Sequence, residues 1–160
     1  QDPDLAILIT KLRRHGVVVS GPPADALFEE VPAAHLTQAL AHTISQWNEE
    51  ADWRGEERNI ILALARIWYT ACTGEIASKD RAAAWAAARL PAEHRALMEN
   101  APNAYLDGRE DGLAAMPERV ARTILFCKGE IARELQGQGE CPASSRAPAR
   151  TARSTDSLAP

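Results

Sequence analysis

The sequence has few cysteines and no long apolar segment, and both shortages restrict the kind of protein it can be. Cys72, Cys127 and Cys141 are the three cysteines among 160 residues. Because their number is odd and their spacing wide, the sequence predicts neither a disulfide scaffold nor a cysteine-based metal site, which favours a reducing, cytoplasmic setting. No apolar run approaches the roughly 20 residues of a membrane-spanning helix. The chain also lacks an initiating methionine and starts at Gln1, which is compatible with a fragment.

Positive charge is in the minority as well. The chain carries 22 acidic and 18 basic side chains, for a formal net charge of −4. A negative surface repels phosphate backbones, so the composition argues against a general nucleic-acid binder. The same surface suits a cationic small molecule, although many soluble proteins are equally acidic.

Large apolar side chains are almost absent after residue 136. Residues 137–160 are rich in Gly, Ser, Pro, Ala and Arg. Such a segment buries too little apolar surface to offset the entropy of ordering, so the sequence predicts a disordered tail. Residues 1–136 are long enough for one domain with its own core.

Within residues 1–136, apolar residues recur at three- and four-residue steps, which is typical of amphipathic helices. Gly16, Gly74 and Pro91 coincide with predicted helix ends or starts. We expect an all-α bundle of about five to six helices, with one further helical turn near residues 25–29. The predicted helices span 4–15, 32–47, 56–73, 78–90, 91–105 and 116–135.

The segment from Trp47 to Asn59 is the richest in chemistry. It places five carboxylates and two indoles within thirteen residues, at the entry to the predicted central helix. Carboxylates attract ammonium and guanidinium groups, and indole faces bind cations, so the segment is suited to a polycationic sugar. A structural interpretation is also open, because acidic residues favour a first helical turn and Trp47 and Trp53 could belong to the core.

Two further residues are candidates for contacts with an anion. Lys79 lies in the first turn of a predicted helix, where a cation opposes the helix dipole unless an anion is bound there. Tyr105 lies at a predicted helix end, where its hydroxyl could bind a phosphate. The alternatives are a solvated surface lysine and a tyrosine that only packs.

The chain resembles the aminoglycoside adenylyltransferases that modify streptomycin and spectinomycin. The resemblance is carried above all by residues 58–74, with Arg66-Ile-Trp-Tyr-Thr70 as the most specific part, and by Ile76-Ala-Ser-Lys-Asp80. Further matching segments are residues 4–11, 21–23, 51–58, 87–94, 104–106 and 128–131.

The resemblance implies a helical C-terminal domain that packs against an N-terminal nucleotidyltransferase domain. Antibiotic and ATP bind between the two in this family, and a drug hydroxyl attacks the α-phosphorus with release of pyrophosphate. The Gly-Ser…Asp-x-Asp segment that would bind Mg²⁺ is not found in this sequence, so we expect the chain alone to be inactive. The positions that match drug contacts are Trp47, Asp52, Glu56 and Asn59, and those that match ATP contacts are Lys79 and Tyr105.

One departure and one competing hypothesis accompany this assignment. Glu56 stands where the family pattern has Asp, and its extra methylene could displace a hydrogen bond to the drug. The competing hypothesis is a non-enzymatic helical interaction domain, or a truncated relic of the enzyme. We expect no catalytic residue and no metal ligand in this chain itself.

Overall fold

The computed structural model describes residues 3–107, 112–137 and 139, without the side chains of Pro3 and of residues 103–107. The described part is helical and contains no strand. Short 3₁₀ turns lie at Glu50–Asp52 and Leu113–Ala115. The α-helices within these described ranges are α1 (Pro3–His15), α2 (Ala24–Leu27), α3 (Ala33–Ile44), α4 (Glu57–Thr73), α5 (Lys79–Ala87), α6 (Ala92–Asp107) and α7 (Pro117–Leu135).

The all-α prediction is confirmed. Six of the helices correspond to the six predicted from apolar spacing, and the four-residue α2 corresponds to the single predicted turn. Helix α3 ends at Ile44, three residues before its predicted end at Trp47. The predicted tail at 137–160 lies outside the described residues, except for residues 137 and 139.

Helix α4 is the centre of the bundle. Ten of its residues are buried, because apolar side chains occupy most of its circumference. The helix ends at Gly74, which adopts φ +71° and donates its N–H to the Thr70 carbonyl. A left-handed residue of this kind favours glycine, as the sequence predicted.

Helices α3, α5, α6 and α7 enclose α4. Helix α5 presents small side chains, including Ala82, Ala83 and Ala86, and so packs closely against it. Helix α7 buries a stripe formed by Val120, Thr123, Ile124, Cys127 and Ile131. Helix α1 packs mainly against α3, at the edge of the bundle. No helix in the described ranges combines the length and hydropathy that crossing a bilayer requires.

Two cysteines lie in the core. Cys127 is free, and burial raises the pKa of its thiol to about 12. It is therefore protonated at neutral pH and unsuited to act as a nucleophile. Cys72 of α4 is also buried.

The packing of α4 yields a stability prediction. Leu64 is fully buried on α4, so Leu64→Ala should lower the free energy of unfolding by about 2–5 kcal/mol through lost burial and a residual cavity. Leu125 on α7 is 51% exposed, so the control Leu125→Ala should change it by about 0.5 kcal/mol or less. Urea denaturation followed by circular dichroism measures both, and equal losses would contradict a core centred on α4.

Candidate functional site

Residues 45–56 join α3 to α4 and carry most of the predicted drug contacts. Two reciprocal hydrogen bonds shape this loop: the Glu49 carboxylate accepts the Asp52 N–H, and Asp52 Oδ2 accepts the Glu49 N–H at 2.9 Å. Asp52 Oδ2 also accepts the Asn48 N–H at 2.7 Å. The loop therefore has a defined conformation, with Asp52 as its main internal acceptor.

The same hydrogen bonds determine the ionisation of Asp52. Backbone N–H groups of Asn48 and then Glu49 stabilise the carboxylate, and Lys128 adds a smaller electrostatic attraction. Together they lower the pKa of Asp52 below its ordinary value. The exposed side chain therefore keeps its negative charge at neutral pH and below.

The remaining carboxylates of the segment also form local interactions. Glu50 pairs with Arg54 at 2.8 Å, and Glu57 Oε1 accepts the N–H of Gly55 at 3.0 Å. Glu56 Oε2 accepts a hydrogen bond from Asn59 Nδ2 at 2.5 Å. Glu56 and Asn59, both exposed at the start of α4, are therefore brought together by the fold.

The two indoles have different environments. Trp53 is 2% exposed and belongs to the core, as the structural interpretation of the segment allowed. Trp47 is half-buried and packs against the core while part of its ring faces solvent. Of the two, Trp47 is the one that can still offer a ring surface to a ligand.

Lys128 of α7 is a contributor to this region that was not among the predicted site residues. Its Nζ donates to the Trp47 carbonyl and, at 3.0 Å, to Asn48 Oδ1. The contact connects residues 81 positions apart in the chain. No local sequence pattern indicates this contact. The only signal is that Lys128 follows buried Ile124 by four residues, which places it at the edge of the apolar stripe of α7 and next to a neighbouring element.

Lys79 lies in a different place, at the first turn of α5. It lines a groove of about 440 Å³, called the basic groove below, whose largely apolar wall carries the cationic side chains of Lys11, Arg66 and Lys79. The N-cap residue Ser78 makes no side-chain capping bond. The residues lining the groove are Lys11, His15, Arg66, Ile76, Ala77, Ser78 and Lys79.

Tyr105 lies in α6, and its side chain is outside the described part of the structure.

The acidic loop and the basic groove are related through α4. Asn59 and Arg66 are seven residues apart, which places them on one face of the helix and about 10 Å apart along its axis. Ala63 lies between them and is partly exposed, so the strip that connects them is open to solvent. A ligand along this strip would meet carboxylates at one end and cationic side chains at the other.

The described residues do not form a metal site. No group of three or more His, Cys, Asp or Glu side chains in the described ranges is placed to hold a metal ion. The carboxylates of the 45–56 loop are instead engaged with backbone N–H groups, Arg54 and Asn59. The arrangement does not fit a resident Mg²⁺.

Comparisons with known proteins all give the same kind of match. Residues 26–130 match the family model described as aminoglycoside adenylyltransferase, C-terminal domain. An aminoglycoside (3'') (9) adenylyltransferase of Rhizobium radiobacter is 49% identical over 81% of this chain and 48% of its own length. A spectinomycin 9-adenylyltransferase of Staphylococcus aureus is 35% identical over 81% of this chain and 49% of its own length.

A solved structure is similar in fold. The crystal structure of a spectinomycin adenyltransferase from Enterococcus faecialis, with ATP and spectinomycin, superimposes with a TM-score of 0.71 at 25% identity. The match covers 84% of this chain and 51% of the other. The chain thus spans about half the length of the curated relatives it matches.

The hydrogen bonds of Asp52 predict a specific pH dependence. The pKa of Asp52 is lower in the folded chain than in the unfolded chain. These bonds therefore stabilise the loop at pH values above the ordinary aspartate pKa, and this stabilisation is lost as the pH falls through the lowered pKa. In an NMR titration, the Asn48 and Glu49 amides should therefore shift together, with a midpoint below the ordinary aspartate value. In the control Asp52→Ala this shared titration should vanish; a midpoint at or above the ordinary value would contradict the proposed bonding.

Proposed function

The chain belongs to the family of aminoglycoside adenylyltransferase C-terminal domains, and we propose that it supplies the drug surface and one wall of the ATP site of such an enzyme. The reaction would transfer AMP from ATP to a hydroxyl of streptomycin, spectinomycin or both, which confers antibiotic resistance. The observation that carries this proposal is the α4 strip, with carboxylates at its start and a basic groove about two turns further along.

The acidic end is the proposed drug surface. Asp52 uses Oδ2 for both loop N–H groups, so its second oxygen, Oδ1, is oriented by the loop and is the one we assign to a guanidinium or ammonium group of the drug. Trp47 would stack the exposed part of its ring face on a sugar ring or a cation. Glu56 and Asn59, already joined by a hydrogen bond, would contact the drug one turn further along.

The basic groove is the proposed position of the ATP phosphates. Lys79, Lys11 and Arg66 bring three cationic groups to a groove at the start of α5. Cations and helix N-termini both favour phosphate, so their combination is suited to a polyphosphate chain. Tyr105 remains a proposed ATP contact from the family resemblance alone.

The chemistry requires groups that we assign to a part of the enzyme outside this chain. A drug oxygen would form a bond to the α-phosphorus, pyrophosphate would leave, and the hydroxyl proton would pass to a base. Mg²⁺ would stabilise the charge of the phosphates, and the described residues do not fit that ion. We therefore propose that this chain binds and orients the substrates, and that alone it does not catalyse the transfer.

An alternative function has one observation in its favour. Leu5 and Leu8 of α1 are about half exposed, and Val17 and Val19 after this helix are almost fully exposed. Apolar residues in this number favour contact with another protein surface. The two hypotheses, an interaction domain and a drug-binding domain, differ in whether this chain binds the antibiotic.

Drug recognition is tested by an NMR titration of the full chain with streptomycin. We expect amide shifts confined to residues 47–59. Asp52→Ala and Trp47→Ala should each raise the dissociation constant about tenfold, because each removes one charged or aromatic contact. The matched control is Glu93→Ala, which removes an exposed carboxylate from α6 and should leave binding unchanged.

The titration has two outcomes that contradict the proposal. If wild-type chain shows no shifts in residues 47–59 at millimolar streptomycin, nor in the same titration with spectinomycin, the interaction domain is favoured instead. If Glu93→Ala weakens binding as much as Asp52→Ala, the drug is attracted by net negative charge and not by this loop.

Nucleotide recognition is tested in the same way with metal-free ATP. We expect shifts around residues 76–81, and Lys79→Ala should weaken ATP binding about tenfold or more while streptomycin shifts persist. Arg122→Ala is the control, because it removes an exposed cation from α7. Equal weakening by both variants, or equal weakening for both ligands in Lys79→Ala, would contradict a phosphate site at the groove.

A further inference from the structure

Lys128 connects the 45–56 loop to the bundle from outside the loop. Its side chain reaches from α7 to this loop and donates to a main-chain carbonyl and to a side-chain amide oxygen. The amide is that of Asn48, whose Nδ2 in turn donates to the Ser45 carbonyl at 2.6 Å. The ammonium group therefore connects α7 to Trp47 and Asn48, and the Asn48 side chain extends this connection to Ser45.

The ammonium also faces the acidic side of this loop. Asp52 interacts with it electrostatically, and the attraction acts on both groups: it lowers the pKa of Asp52 and opposes the lowering that burial causes at Lys128. The Asn48 N–H that Asp52 accepts belongs to the residue whose side chain Lys128 binds. Displacement of the Lys128 side chain would thus affect the Asp52 carboxylate through one intervening residue, Asn48.

We propose that Lys128 is a positioning residue for the drug surface, which holds Trp47 and Asp52 in the arrangement that receives the cationic antibiotic. The inference rests on the proposed function for its ligand, but the positioning itself is a property of the unliganded chain. Lys128 does not touch the drug in this proposal. It acts through the Trp47 carbonyl and the Asn48 side chain.

Charge provides a reason for a lysine at this place. The loop concentrates four carboxylates, and their mutual repulsion would widen it in the absence of a nearby cation. Arg54 pairs with Glu50 on the exposed side, whereas Lys128 is partly buried and acts from the side of the bundle. A cation beneath the loop offsets the repulsion and leaves the outer carboxylate oxygens to the ligand.

The experiment compares Lys128→Met, which keeps the aliphatic stem, with Lys128→Arg, which keeps a charged donor. The control is Arg133→Met, which removes an exposed cation of the same helix that pairs with Glu130. Amide hydrogen exchange is measured first without ligand. Lys128→Met should accelerate exchange of the Asn48 and Glu49 amides about tenfold, leave the α4 amides protected, and keep the melting temperature near that of wild type.

Streptomycin titrations of the same variants form the second arm. Lys128→Met should raise the streptomycin dissociation constant about tenfold without changing that for ATP, and Lys128→Arg should recover most of the loss. A purely structural role would affect both ligands and the melting temperature together. Unchanged exchange at Asn48 and Glu49, undiminished streptomycin binding by Lys128→Met, or an equal effect of Arg133→Met would each overturn the inference.

The two arms separate failure of this inference from failure of the proposed function. If the wild-type chain binds neither streptomycin nor spectinomycin, the drug-binding function is wrong, and so is the proposed ligand of this inference. The exchange data still decide whether Lys128 orders the loop. If wild type binds and Lys128→Met binds equally well, the function stands and the inference is wrong.

Discussion

The packing of α4 against α3, α5, α6 and α7 leaves a strip of this helix through Asn59, Ala63 and Arg66 accessible to solvent. The proposed drug surface and the basic groove lie at the two ends of this strip. The loop before α4 brings carboxylates to one end of the strip, and the connection from α4 to α5 places Lys79 on the same groove as Arg66. The packing of the helices thus determines which part of α4 is exposed, and the sequence determines whether the charge at each end of the strip is negative or positive.

The helices were predictable because their signals are local. Apolar residues at three- and four-residue spacing define the buried faces, and Gly74 marks the end of α4 because its left-handed conformation favours glycine. The loop was less predictable. It could be recognised as polar, but the 3₁₀ turn at Glu50–Asp52 and its reciprocal hydrogen bonds depend on backbone conformation that composition does not specify.

The candidate site was predicted in part for the same reason. Trp47, Asp52, Glu56 and Asn59 are close in sequence, so their proximity in space follows from one loop and one helical turn. Lys79 and Arg66 line one groove although they lie on different helices, and Lys128 of α7 binds the carbonyl of Trp47 in the 45–56 loop. Such contacts depend on how the bundle packs, and no spacing within a single element encodes them.

The internal hydrogen bonds of the 45–56 loop have a thermodynamic consequence. Asp52, Glu49 and Glu56 are already restrained before any ligand arrives, so most of their conformational entropy is lost when the chain folds and little is lost on association. Affinity for a cation then depends on how often the turn frays. Warming or a mildly destabilising substitution near this turn would reduce affinity well before the helices themselves melt.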